Sequence, residues 1–271
     1  FGTQVLTTDD FLDSGIYIDG RAALLTPDAI SSVSEDLMDG SILFDHLYDE
    51  EQTVIVCSPM MFELALAILH RRERNTWLKE NVAERIHAKR NVLLYPYKER
   101  SICFIGHSQL DQWKIRKLGI YKVRNCGISG ITTEEYLIKI IEKELLSFQA
   151  DAFLVLIGIN DIALQPENVA NHINKLIVKI RENSLSPIYF IEPLLVNGRL
   201  DRDNSWILKL RRFLKLSPLR EQVVWIETTE MNDKFEHLDM RYTTDGLHLN
   251  QQGYDVLERI VLSHIELLDL Q

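Results

Sequence analysis

The feature that most constrains this fold is a regular alternation of strands and helices after residue 100. Short apolar runs predict strands at residues 102–105, 121–125, 153–157, 188–192 and 223–227. Runs with helical periodicity predict helices at residues 110–118, 133–148, 167–183, 204–216 and 251–268. Such alternation is typical of a parallel sheet covered by helices on both faces. We therefore expect an α/β domain with a five-stranded parallel sheet.

The first hundred residues lack this alternation. They contain strand-like pieces at residues 15–18 and 53–57, followed by a helix predicted from Pro59 to about Asn91. The first half of this helix is apolar and the second half is charged, which is typical of a helix that becomes a solvent-exposed connector. We expect an N-terminal segment at 1–70, a connector helix and extended linker at 71–99, and the α/β domain at 100–271.

Composition excludes several classes of protein. The net charge of −10 argues against a nucleic-acid or anionic-membrane surface. No apolar run reaches the roughly 18–20 residues that a membrane span needs, and the N-terminus does not resemble a signal peptide. The 3 cysteines show no metal-binding spacing. We expect a cytoplasmic protein with reduced thiols, no nucleic-acid partner and no membrane partner; its oligomeric state, including a homo-oligomer, is left open.

Polar residues and glycines gather in the loops that follow the predicted strands. In an open parallel sheet these loops lie at one edge, where ligands bind. Ser108 follows the first strand directly after Gly106 and His107. The other blocks are NCGISG at 125–130, GIND at 158–161 and DGLHLN at 245–250. Each block alone is more typical of a helix cap or a turn, but together they contain the parts of a hydrolytic site.

Those parts have definite chemical tasks. A serine hydroxyl such as that of Ser108 needs a neighbouring imidazole to take its proton, and His248 can do this. Asp245, three residues earlier in the same loop, can hold the imidazole in one tautomer. The backbone N–H groups of Ser108 and Gly130 and the side-chain amide of Asn160 are suitable donors to an oxyanion.

The four blocks, in this order, resemble the signature blocks of the SGNH (GDSL-type) hydrolases. The resemblance covers residue 101 to the C-terminus and implies a three-layer, flavodoxin-like fold. It also implies the following site: Ser108 as nucleophile, His248 as base, Asp245 as its orienter, and Ser108, Gly130 and Asn160 as oxyanion donors. The G-x-S-x-G motif of the larger α/β-hydrolase family is absent from the sequence.

Two residues depart from the SGNH pattern and suggest a subgroup. His107 stands where the family usually has aspartate, and the polar Gln109 follows the serine. His107 adjoins Ser108, but adjacent side chains on an extended segment diverge, so His248 remains the expected base.

Longer stretches resemble the C-terminal O-acetylesterase half of bacterial bifunctional CMP-sialic acid synthetase/sialate O-acetylesterases. They include IGHSQLDQW and RYTTDGLHLNQQGYDVLE. This resemblance implies removal of O-acetyl groups from a small carbohydrate, sialic acid above all, without metal or cofactor. It also makes residues 1–70 a nucleotidyltransferase-domain remnant, with an unrelated cap or oligomerisation appendage as the alternative. The synthetase's nucleotide-binding motif is not found, so we expect no cytidylyltransferase activity from this chain.

A loop after the fourth strand carries Arg199 and Arg202 on the same edge of the sheet. Because guanidinium groups pair bidentately with carboxylates, we expect one of them to bind the carboxylate of a sialic acid; the alternative is a solvated charged loop. Two other functions stay open for the whole chain. One is an O-acyltransferase that uses the same fold and triad on sugars, and the other is a non-catalytic scaffold subunit.

Overall fold

The computed structural model describes residues 45–48, 53–56, 82–199 and 201–269. The chain divides into two compact units, Phe1–Trp77 and Leu78–Gln271. In the first unit, β1 (Asp45–Tyr48) and β2 (Thr53–Val56) form an antiparallel pair, which confirms the strand predicted at 53–57. The strand predicted at 15–18 and the start of the helix after Pro59 lie outside the described residues. The role of residues 1–70 stays a prediction.

The second unit is built on a 6-stranded sheet in the order β4-β5-β3-β6-β7-β8. Its strands are β3 (Ser101–Gly106), β4 (Lys117–Leu118), β5 (Tyr121–Asn125), β6 (Ala152–Leu156), β7 (Ile188–Ile191) and β8 (Val224–Ile226). Every neighbouring pair is parallel except β4 and β5. The predicted α/β class and the five parallel strands are confirmed, but the count of five for the whole sheet is wrong because β4 adds an antiparallel edge.

The extra strand also corrects the helix predicted at 110–118. Helix α3 (Ser108–Asp111) ends after one turn, and β4 then pairs with β5 around a two-residue turn at Gly119 and Ile120. Gly119 has a φ of +56°, which suits the first position of such a turn. The sequence LGIY therefore favours a hairpin turn, although the helical periodicity of the surrounding residues predicted a helix.

Helices cover both faces of this sheet. They are α1 (Val82–Ala88), α2 (Arg90–Leu94), α3, α4 (Thr133–Tyr136), α5 (Pro166–Asn183), α6 (Asn204–Leu216), α7 (Leu219–Gln222) and α8 (Gln251–Asp269). α4 continues as a π-helix at Leu137–Ile141, so the long α-helix predicted at 133–148 is only partly confirmed. The helices predicted at 167–183, 204–216 and 251–268 are confirmed as α5, α6 and α8.

The alternation of side chains along β3 divides the core into two layers. Cys103 and Ile105 pack on one face with residues of α1, α2, α4, α5, α6 and α7. Ile102 and Phe104 pack on the other face with residues of α3 and α8. Because both faces are covered, β3 and β6 are buried along their whole length, which explains their continuous apolar runs.

Helices α1 and α2 belong to this core, contrary to the exposed connector and extended linker predicted for their sequence. Val82, Ile86 and Leu93 are buried in the first layer. Lys89, between the two helices, forms an ion pair with Asp111 at the end of α3. Lys89, one of the charged residues that suggested a solvated helix, therefore attaches the helix pair to α3. Through this contact the two helices support the turn that follows β3.

Candidate active site

The structure places Ser108 at the carboxyl end of the central strand β3, as the first residue of α3. β3 ends at Gly106, where a Cβ would lie 2.0 Å from the carbonyl oxygen of Leu156 on β6. Only glycine allows the two backbones this close approach. The side chain of His107 then caps α3 by accepting a hydrogen bond from the Gln109 N–H at 3.4 Å. This tight turn brings the Ser108 hydroxyl to the edge of the sheet.

The structure brings His248 and Asp245 together with Ser108, as the sequence predicts. His248 Nε2 lies 3.0 Å from Ser108 Oγ, and His248 Nδ1 lies 2.9 Å from Asp245 Oδ2. Asp245 Oδ1 also accepts the backbone N–H groups of Leu247 at 3.1 Å and His248 at 2.8 Å. One carboxylate therefore shapes the loop and contacts the ring. These are the contacts through which an imidazole can take a proton from a serine hydroxyl.

The electrostatics keep Asp245 charged. Burial acts to raise the pKa of Asp245, but hydrogen bonds from the backbone and ring of His248 outweigh it and lower the pKa to about 2. An ionised Asp245 accepts the Nδ1–H of His248, which leaves Nε2 of the neutral ring facing Ser108 as an acceptor.

Gln109 joins the turn that carries Ser108 to the loop that carries His248. The sequence alone indicated it only as a departure from the family pattern. Its side-chain Nε2 donates to the carbonyl of Leu247 at 2.7 Å. Its backbone carbonyl accepts the hydroxyl of Tyr254, at the start of α8, at 2.9 Å. A fully buried polar side chain at this position fixes the distance between Ser108 and His248.

His107 has a structural task in this arrangement. It is fully buried, and burial, followed by the proximity of the His248 and Arg202 side chains, lowers its pKa to about 3. A neutral ring can accept the N–H of Gln109 at the start of α3. His107 thus occupies the family's aspartate position as an uncharged helix cap.

Gly130 and Asn160 lie in loops on either side of Ser108. Gly130 follows β5 and Asn160 follows β6, and these strands are the two neighbours of β3 in the sheet. Gly130 has a φ of +83°, and Asn160 Nδ2 donates to the carbonyl of Ile131 at 3.0 Å. That contact joins the two loops and leaves the second N–H of the amide for another acceptor. Their role as oxyanion donors stays a prediction.

Arg199 and Arg202 are not solvated; their side chains are 14% and 11% exposed. Both form ion pairs with Asp201; Arg199 also contacts Asp245, and Arg202 contacts Asn160. Sequence reasoning had no signal for these partners because they depend on the path of three separate loops. Whether either arginine meets a substrate carboxylate stays a prediction.

No helix among the described residues is long and apolar enough to cross a bilayer. Within the same residues, no three histidine, cysteine, aspartate or glutamate side chains lie close enough together to hold a metal ion.

A comparison with known proteins links this site to a family. Over 218 residues the chain is 34% identical to the N-acylneuraminate cytidylyltransferase of Escherichia coli O18:K1:H7 (strain RS218 / NMEC). The match covers 79% of this chain and 51% of that protein, so the chain spans about half the length of this curated relative.

Solved structures show the same fold. A Streptococcus pneumonia protein, provisionally described as a platelet activating factor, matches with a TM-score of 0.63 and 25% identity over 73% of this chain and 98% of its own. A GDSL-like lipase from Bacteroides thetaiotaomicron VPI-5482 matches with a TM-score of 0.55 and 21% identity, over 68% and 96%.

A sequence profile of the GDSL-like Lipase/Acylhydrolase family matches residues 106–256. That range begins at the glycine before Ser108 and ends beyond His248, so it contains every residue of the site described above. The chain is therefore an acylhydrolase-type protein that belongs to the GDSL, or SGNH, hydrolase family.

Proposed function

We propose that the chain is a serine esterase that removes O-acetyl groups from a carbohydrate, with an O-acetylated sialic acid as its substrate. The observation that carries this proposal is the unbroken series of contacts from Asp245 through His248 to Ser108, at 2.9 and 3.0 Å. In this geometry each side chain has the partner that its catalytic task needs.

The reaction follows from these contacts. His248 takes the proton of Ser108 as Oγ attacks the acetyl carbonyl, and Asp245 stabilises the resulting imidazolium. The N–H groups of Ser108 and Gly130 and the amide of Asn160 donate to the oxyanion. His248 then returns the proton to the departing sugar oxygen. Water, activated by the same histidine, releases acetate from the acetyl-serine and restores the hydroxyl.

The choice of substrate rests on the sequence. A relative that is named for a reaction of N-acylneuraminate shares 34% identity over most of this chain. The stretches around Ser108 and His248 resemble the O-acetylesterase half of such bifunctional proteins, for which the cytoplasm is the expected compartment. The alternative acyltransferase differs only in its acceptor, a sugar hydroxyl in place of water.

Replacement of Ser108 tests the proposal. Wild type should release acetate from p-nitrophenyl acetate and from O-acetylated N-acetylneuraminate, with the second followed by mass spectrometry. Ser108→Ala should lower kcat at least about a thousandfold on both because the acetyl-enzyme no longer forms. Ser263→Ala, which loses only a hydroxyl bonded to Ile260 and His264 within α8, is the matched control. Equal inactivity of wild type and Ser108→Ala would favour the scaffold alternative.

A further inference from the structure

Asp201 lies between two arginines in the loop before α6. Its carboxylate accepts Nε and Nη2 of Arg199 at 2.7 and 2.8 Å, which is a bidentate pair. It also accepts Nη1 of Arg202 at 3.0 Å, and the same Nη1 donates to the Asp201 backbone carbonyl at 2.7 Å. The Asp201 side chain is only 17% exposed. One carboxylate therefore sets the position of two guanidinium groups.

Other nitrogens of these two guanidinium groups contact two parts of the site. Arg199 Nη1 contacts Asp245, at 3.4 Å from Oδ2 and 3.3 Å from the backbone carbonyl. Arg202 Nη2 contacts Oδ1 of Asn160 at 3.3 Å. A continuous series of polar contacts therefore runs from Asn160 through Asp201 to Asp245.

We propose that Asp201 is a positioning residue that holds Asn160 and Asp245 in their catalytic orientations through Arg202 and Arg199. The proposal rests on the proposed function, since it assigns Asn160 to the oxyanion and Asp245 to the triad. It adds three residues that do not touch the reacting atoms to the machinery of the esterase.

At Asn160 the network decides which way the amide faces. Arginine is only a donor and a backbone carbonyl is only an acceptor, so Oδ1 must face Arg202 and Nδ2 must face Ile131. In the opposite orientation neither hydrogen bond could form, and the amide oxygen would take the place of the donor. An oxygen there would repel a developing oxyanion.

At Asp245 the network limits the attraction between the Arg199 guanidinium and the carboxylate of Asp245. Arg199 lies within ion-pair distance of the carboxylate that contacts His248. Asp201 binds two of the nitrogens of Arg199 at shorter distances and compensates its charge. Without Asp201, Arg199 could turn fully towards Asp245 and compete with the imidazole for it.

The two loops that carry this network are also joined by their backbones. The N–H of Asn197 donates to the carbonyl of Gly246 at 2.9 Å. A Cβ on Gly246 would lie 1.8 Å from the Asn197 carbonyl oxygen. This close approach keeps Arg199 within reach of Asp245, so the contact follows from the backbone path rather than from a long flexible side chain alone.

Kinetics of Asp201→Asn test the proposal with p-nitrophenyl acetate and O-acetylated N-acetylneuraminate as substrates. We expect kcat to fall about tenfold to a hundredfold on both while KM stays within about twofold, because the substitution misplaces an oxyanion donor and leaves substrate binding intact. Glu182→Gln, which removes an exposed partner of Lys179 on α5, is the control and should leave both constants unchanged. A role in binding a sugar carboxylate predicts instead a rise in KM for the sialate alone.

The pH–rate profile gives a readout that general structural damage would not produce. Among the described residues, His248 contacts Asp245 in its own loop and lies near His107, which precedes Ser108; Arg199 contacts Asp245, and Arg202 lies near His107. Asp201→Asn leaves the two cations uncompensated, so the acid limb of kcat/KM should move to lower pH by about half a unit or more. Arg199→Gln removes one cation and should move the limb to higher pH.

Arg202→Lys is a second test of the proposal. It replaces Asp201→Asn if circular dichroism shows that Asp201→Asn does not fold. Lysine keeps the charge but cannot bridge Asp201 and Asn160 as a fork, so kcat should fall with little movement of the acid limb. Wild-type kcat and an unmoved profile in folded Asp201→Asn or Arg202→Lys would overturn the positioning role alone. A wild type without Ser108-dependent activity would overturn the proposed function and, with it, this inference.

Discussion

At the scale of single residues, Asp161 joins two of the loops that form the site. It directly follows Asn160, and its carboxylate accepts the backbone N–H of Thr133 at 3.0 and 3.1 Å and the Thr133 hydroxyl at 3.0 Å. It thereby ties the loop after β6 to the start of α4, just beyond Gly130. Burial raises the pKa of Asp161 to about 7 against the opposing hydrogen bonds from Thr133.

This raised pKa predicts a stability that depends on pH. The folded protein keeps the proton of Asp161 up to about pH 7, whereas the unfolded chain releases it near 3.8. The folded state therefore binds more protons in this window, and the free energy of unfolding should fall as pH rises through it. The slope from this group is at most about 1.4 kcal/mol per pH unit.

Asp161→Asn should remove that slope while it keeps a polar group of similar shape beside Thr133. Urea unfolding of wild type and variant at about pH 5, 6, 7 and 8 measures the difference between the two curves. We expect the free energy of unfolding of the variant to increase relative to that of wild type as pH rises to about 7. Above that pH the two curves should run parallel. Parallel curves throughout would contradict a buried carboxyl that titrates near neutrality.

At the scale of elements, the loops that carry Arg199 and His248 each contain a glycine with a positive φ. The two positions differ in whether an added side chain would also clash with a neighbouring atom. Gly198 and Gly246 have φ values of +64° and +79°, where a β-carbon costs about 1–2 kcal/mol. Among the described residues, no atom lies within 4 Å of a Cβ on Gly198, whereas a Cβ on Gly246 would meet the Asn197 carbonyl oxygen at 1.8 Å. Gly198→Ala is thus a matched control for Gly246→Ala.

We expect Gly198→Ala to lower the free energy of unfolding by about 1–2 kcal/mol and to leave kcat near the wild-type value. Gly246→Ala should cost at least about 2 kcal/mol more, because one of two backbone segments must move. It should also lower kcat, since that movement displaces the His248 loop. Urea unfolding and p-nitrophenyl acetate hydrolysis measure both effects, and equal losses in the two variants would show that the loops do not depend on close contact.

The same elements show what a sequence can predict here. Strands β3 and β6 are buried on both faces, so their apolar runs predict them to within a residue or two, and the blocks after them predict Ser108 and Asn160. β4 is two residues long and has no apolar run of its own; its pairing with β5 depends on a turn at Gly119. The sequence did not predict the role proposed for Asp201 for a related reason. The two arginines that it binds contact residues far away in the sequence: Arg202 and Asn160 are 42 residues apart, and Arg199 and Asp245 are 46 residues apart.

At the scale of the whole molecule, the second unit contains all the contacts that the proposed chemistry uses. Its core extends from Val82 to Ile265, and its 6-stranded sheet consists of β3 to β8. Helices α1 and α2 are part of it, because Arg85 and Lys89 donate to the carbonyls of Ser129 and Gly127 at 2.8 and 2.6 Å. Those carbonyls belong to the loop that carries Gly130.

Two fragments therefore differ in a predictable way. The fragment 78–271 should fold and hydrolyse p-nitrophenyl acetate with a kcat/KM within about threefold of the full chain. The fragment 100–271, cut at the boundary that the sequence predicts, lacks the buried Val82, Ile86 and Leu93. At about 1.5–3 kcal/mol for each buried side chain, that loss is comparable to the whole stability of a typical domain. We expect it to melt at least about 10 °C lower or to aggregate, and to lose activity as the Gly130 loop loses its support. Equal melting temperatures and activities would restore the connector interpretation of residues 71–99.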